Sequence, residues 1–155
     1  LDGDSELRFR VIAALNRLHR THPELERDRS LIETVLSAEI LGHYRSYQLL
    51  ATMVDRGDAA DPALTGLRAS MPQEVERIFR LLALLYPDVD LHSAYYGVQS
   101  GHQAVHDNAL EFLDNVLAAD LRRLVVPLVD SAVSVAARSQ LANEVLGLGV
   151  RRQAD

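Results

Sequence analysis

Apolar residues recur every three to four positions along most of the chain, the period of an α-helix buried on one side. Leu7, Val11, Ala14 or Leu15, and Leu18 predict a first helix over about 5–20, stopped by Thr21-His22-Pro23. Ser30, with Glu33 three residues on, reads as a capping box opening a second helix over about 30–55. Its stripe is Ile32, Val35 or Leu36, Ile40, Tyr44 or Tyr47, Leu50 and Val54, and Arg56-Gly57-Asp58 closes it. Asp61-Pro62 supplies an N-cap and a first-turn proline, after which Leu64, Leu67, Val75, Ile78, Phe79, Leu82 and Leu85 align. Pro72 falls inside that run, so the pattern predicts one helix kinked at Pro72, the alternative being two helices over 62–70 and 72–86. Further helices are predicted over about 90–99, 102–118, 120–129 and 131–146, with a frayed polar tail over 150–155.

No alternating apolar–polar run is bounded by hairpin turns, so strands are not expected. The fold class is therefore all-α, with about seven or eight helices in one domain over 1–155. Short connections favour antiparallel neighbours. The pairs 74–86 with 90–99 and 102–118 with 120–129 repeat at about 28–35 residues, inside the range of stacked helical repeats. Repeat character is clearest over 74–130.

Composition narrows the function. Hydrophobic residues make up 48% of the chain, enough for a substantial core. There is no cysteine, which excludes disulfides and thiolate metal sites. The net charge is −6, and no run is strongly basic, so nucleic acid is a poor partner. No uncharged apolar run is long enough to span a bilayer, and no signal peptide is visible. The chain begins at Leu1 without a methionine and reads as a piece of a longer protein.

The segment Val98 to Leu117 is similar to the second helix of a HEAT repeat, with Val105, Ala109, Leu110 and Leu113 on matching positions and His106 standing where the family has arginine. Three stretches extend the likeness: Ala13-Ala14-Leu15-Asn16-Arg17-Leu18, Glu76 to Pro87, and Asn108-Ala109-Leu110-Glu111-Phe112-Leu113-Asp114-Asn115. Together, over roughly 8–130, they resemble the HEAT-like extension that follows the membrane part of bacterial transporters related to the ATP/ADP translocases, in the major facilitator superfamily. The resemblance implies a right-handed α-α superhelix of antiparallel pairs. It also implies a cytoplasmic location, tethered to the inner face of the inner membrane, with a protein or the transmembrane part of the same polypeptide as partner.

Several polar groups could carry chemistry. Glu39, His43 and Tyr47 lie at i, i+4 and i+8 on the second predicted helix. They read as a ligand- or proton-handling line or, more commonly for such a line, as a buried polar seam with Glu39 and His43 paired. His102 and His106 are four apart, a spacing that can put two imidazoles on one metal, yet two ligands do not make a specific site. The bland alternative puts His102 in an exposed first turn and turns His106 to a neighbouring repeat. Arg77 and Arg80 form either a solvated face, with Glu76–Arg80 as an i, i+4 pair, or a ladder reaching Asp114. Asn108, Asp114 and Asn115 complete the structural polar network, the last two bonding either the start of the next helix or the loop near 119–121. Tyr95 and Tyr96 are candidate contact residues, one packed inward and one facing out.

No nucleophile motif, phosphate loop or metal signature emerges. The expected function is a non-catalytic protein-interaction or regulatory scaffold needing no cofactor. The alternative is a small-ligand- or metal-binding domain, or an enzyme, using the His, Glu and Tyr groups of the helices over 30–55 and 102–118.

Overall fold

The computed structural model describes residues 9–12, 29–57 and 60–154, with side chains described as far as Gly147. Among the described residues every regular element is helical. They are α1 (Arg29–Asp55), α2 (Pro62–Leu85), α3 (Leu91–Val98), α4 (Gln103–Val116), α5 (Ala119–Val129) and α6 (Val135–Ala154). Residues 9–12 are also helical, and Ile12 is buried. The rest of the first predicted helix, including Ala13 to Leu18 and the stop at Thr21-His22-Pro23, lies outside the described residues.

Local chemistry sets the helix ends. Asp61 caps α2 by accepting a hydrogen bond from the Ala63 amide at 2.8 Å, with Pro62 in the first turn. Asp90 caps α3, accepting from the Ser93 amide at 3.0 Å and the Ser93 hydroxyl at 2.7 Å. Those Ser93 bonds hold its carboxyl below the usual carboxylate range. Gly57, at φ 71°, supplies the left-handed residue that ends α1. The predicted capping box at Ser30 is not formed. Ser30 lies inside α1, and Glu33 pairs with Arg29 at 3.1 Å, one turn back.

α2 is a single helix running through Pro72, because that residue and its neighbour Gln73 are exposed and the lost backbone bond falls on the solvent side. α6 departs from the expected range. It starts at Val135 rather than near 131, because Asp130 folds the following residues into a turn, accepting from the Ala132 amide at 2.9 Å. Ser134 then caps α6 by accepting from the Ala137 amide at 3.1 Å. The helix continues to Ala154, across residues for which the sequence predicts a frayed tail.

Contacts follow chain order from α1 through α5, and α1 also packs along α6. The last of these joins α1 to the helix at the other end of the described chain. A linear stack, in which each repeat touches only its neighbours, makes no such contact. One core runs through the whole set, from Leu36, Ile40 and Tyr44 on α1, through Ile78, Leu81 and Leu82 on α2, to Leu113, Val125 and Ala142. Four polar ties join α1 to the C-terminal half among the described residues: the Tyr44 hydroxyl donates to the Leu124 carbonyl, Arg138 donates to the Tyr47 hydroxyl at 3.0 Å, the Ser139 hydroxyl donates to the Tyr47 carbonyl at 3.2 Å, and Gln48 donates to Asn143 at 2.8 Å. α3 and α4 form an antiparallel hairpin at the closest backbone approach involving a glycine: a Cβ on Gly97 would lie 2.7 Å from the Ala109 Cβ.

Two expectations follow. Gly97→Ala should destabilise by about 1 kcal/mol or more, because overpacking outweighs the better helix propensity of alanine. Gly66→Ala, in the same kind of helix but with nothing within 4 Å of the new Cβ, should stabilise by up to about 1 kcal/mol. Thermal or urea denaturation of the two variants checks the opposite signs. Burial holds the Tyr44 phenol above its usual pKa of about 10. Only the protonated phenol can donate to Leu124, so its stabilisation is complete below about pH 10 and is lost as pH rises toward the raised folded value. Tyr44→Phe should cost about 1–2 kcal/mol at neutral pH and flatten the alkaline loss of stability, measured by denaturation across pH.

Candidate functional site

The polar residues of α1 and α2 meet along their antiparallel interface. Glu39 and His43, one turn apart on α1, face Arg77 and Glu74, one turn apart on α2. Arg77 Nε donates to Glu39 Oε2 at 3.1 Å, and both side chains are fully buried. His43 Nδ1–H donates to Glu74 Oε1 at 2.8 Å, while the Ser46 hydroxyl donates to Glu74 Oε2 at 3.0 Å. The sequence pairs Glu39 with His43; the structure gives Glu39 a guanidinium and His43 a carboxylate from the facing helix. Glu74 was not a candidate in the sequence. Its position one turn before Arg77 was the available signal.

Tyr47, the third member of the line, serves a different joint. Its ring meets the His43 imidazole edge-on at 5.1 Å, and its hydroxyl accepts from Arg138. Arg138 also donates to the carbonyls of Pro127 at 2.8 Å and Asp130 at 2.7 Å, so one guanidinium satisfies the open carbonyl end of α5 and ties it to α1. Sequence reasoning passed over Arg138, because no local pattern links it to a residue 91 positions away.

His106 and His102 do not share a site. His102 is the exposed N-cap of α4, and His106 is buried. His106 Nδ1 lies 2.8 Å from the Val98 carbonyl, which can only accept, so Nδ1 carries the proton. Nε2 then accepts from the Ser131 amide at 3.3 Å and the Ser131 hydroxyl at 3.1 Å. The neutral ring thereby clamps the end of α3 and the α5–α6 turn onto α4. Among the described residues, no group of three or more His, Asp or Glu is placed to hold a metal.

The predicted arginine ladder to Asp114 is not built. Arg77 turns to Glu39, and Arg80 pairs with Glu76 at 2.9 Å on its own helix. Asp114 is exposed and takes part through its backbone, its carbonyl accepting from Arg122 at 2.9 Å. Asn108 and Asn115 are exposed.

Tyr95 and Tyr96 divide as expected. The Tyr95 ring packs on Phe79 at 5.4 Å, and Tyr96 is 60% exposed. With His92, whose ring meets Tyr96 at 4.9 Å and 88°, they wall a groove of about 170 Å³ between α2 and α3. Its floor is Phe79, Ala83 and Leu91, and its far rim is the Glu76–Arg80 pair.

No family model matches the chain, nor does any curated protein or solved structure. Among the described residues, no helix is long and apolar enough to cross a membrane.

The buried ion pair makes a measurable demand. Arg77→Leu should cost about 3–5 kcal/mol by leaving the Glu39 carboxylate without its guanidinium, and Glu39→Leu should cost a similar amount. The double variant should recover most of that loss. Urea denaturation of the four proteins would measure a coupling of several kcal/mol; additive losses would show that the two charges do not depend on each other.

Proposed function

We propose that this chain is a non-catalytic interaction or regulatory scaffold. One observation carries the reading: the buried titratable side chains join helices to one another, and the ring nitrogen left over, His43 Nε2, is sealed from solvent. Glu39 and Arg77, His43 and Glu74, Tyr47 and Arg138, and His106 and Ser131 each bridge different elements. A general base or ligand donor needs a free lone pair or proton within reach of a substrate. His102 and Asp107 face solvent away from the groove between α2 and α3, where Glu76 and Arg80 are paired with each other beside the rings of His92, Tyr95 and Tyr96.

The finer fold reading is HEAT-like, with α2 paired to α3 and α4 to α5 as two stacked units and α1 and α6 lying together alongside them. The sequential packing of α2 to α5 supports it, as do the matching positions Val105, Ala109, Leu110 and Leu113. The transporter context rests on the three sequence stretches alone. On that reading the chain is a cytoplasmic extension held at the inner face of the membrane, and its partner is a protein or the membrane part of the same polypeptide.

A thermal-shift screen against divalent metals, nucleotides and common metabolites should leave the melting temperature unchanged. A ligand present at a hundred times its dissociation constant would add about 2.7 kcal/mol, an easily read shift. Such a shift, abolished in His43→Gln or His106→Gln, would replace the scaffold with a ligand-binding or catalytic domain. Crosslinking in the full-length protein should return contacts between this chain and another polypeptide or domain.

A further inference from the structure

We propose that the groove between α2 and α3 is a docking site for a basic side chain, arginine or lysine, presented by a protein partner. The proposal rests on the scaffold reading and names the chemistry its partner would bring. Three rings form the wall. Tyr95 and Tyr96 meet at 60°, and His92 and Tyr96 at 88°, so successive ring planes turn through large angles and box the space rather than stacking flat. Aromatic faces carry negative potential and attract a cation held within about 6 Å. The floor of Phe79, Ala83 and Leu91 is apolar, which suits the methylene stem of a long basic side chain whose head reaches the rim.

Charge decides between a basic and an acidic occupant. Arg80, the cation of the groove, is already engaged: its Nη2 donates to Glu76 Oε1, and its guanidinium lies 4.8 Å from the centre of the Phe9 ring. Glu76 keeps its second oxygen, Oε2, without a hydrogen bond among the described residues. Exposed Asp88 and Asp90 lie on the loop that enters α3, and the chain as a whole carries −6. An incoming carboxylate would meet aromatic rings, an arginine whose charge Glu76 already offsets, and the negative charge of the chain. An incoming guanidinium or ammonium would meet the same aromatic rings, the second oxygen of Glu76 and a chain of opposite charge. The same field would speed encounter with a basic partner.

The test titrates Nα-acetyl-arginine amide and Nα-acetyl-lysine amide into the protein while following the ring resonances of Tyr95, Tyr96 and His92. The leucine and glutamate analogues serve as controls. The basic probes should shift those rings selectively. Tyr96→Ala and Glu76→Gln should each weaken binding about three- to tenfold without lowering the melting temperature, since neither side chain is buried. No shift with any probe, equal binding of the leucine analogue, or tighter binding of the glutamate analogue overturns the proposal. A partner crosslinked to the full-length protein separates the two readings. If it stays bound to both variants, the groove is not its site although the scaffold stands; if both variants release it, the groove is its site.

Discussion

Arg77 is the largest fully buried side chain in the described structure, and the arrangement of the two longest helices depends on its charge. A guanidinium cannot give up its proton, so burying one is tolerable only where a carboxylate and good geometry meet it. Glu39 meets that requirement from α1. The pair then fixes the register of α1 against α2, because sliding either helix by one turn would bury both charges apart. His43, Ser46 and Glu74 follow in the next layer of the same interface and reinforce that register.

From that interface the rest of the fold is tied back to α1. Tyr44 donates to the α5 backbone, Tyr47 accepts from Arg138, and Gln48 donates to Asn143 on α6. Each tie uses a polar group of α1 whose partner in the C-terminal half is a backbone carbonyl, a guanidinium or a side-chain amide. At the other end of the molecule, His106 performs the same service as a neutral ring with all its hydrogen-bonding capacity spent. The outcome is a set of helices whose interior polar side chains mostly pair across helix joints, with His43 Nε2 and Arg77 Nη1 left as buried atoms without a hydrogen-bond partner among the described residues.

Much of the secondary structure is legible in the sequence because its causes are local. Asp61-Pro62 and Asp90 are cap residues by side-chain chemistry alone, and the stripe from Val75 to Leu85 has one period and one face. The start of α6 is misplaced for a reason equally local: Asp130 and Ser134 are both plausible caps, and the turn between them uses Asp130 for itself. The division of Tyr95 from Tyr96 is also legible, since adjacent residues on a helix point about 100° apart and cannot share an inner face.

What the sequence by itself determined is therefore the helices, most of their ends and the list of polar residues on their inner faces, because periodicity and capping act within a few residues. Only the tertiary structure decided which of those residues meet. Glu39 finds Arg77 and Tyr47 finds Arg138 across 38 and 91 positions of chain, and nothing in either neighbourhood encodes the other. The same holds for the packing of α1 along α6, which sets this arrangement apart from a simple linear stack. Long-range pairing is set by how the apolar faces of the described helices fill one core, and polar partners are chosen by where that packing leaves them.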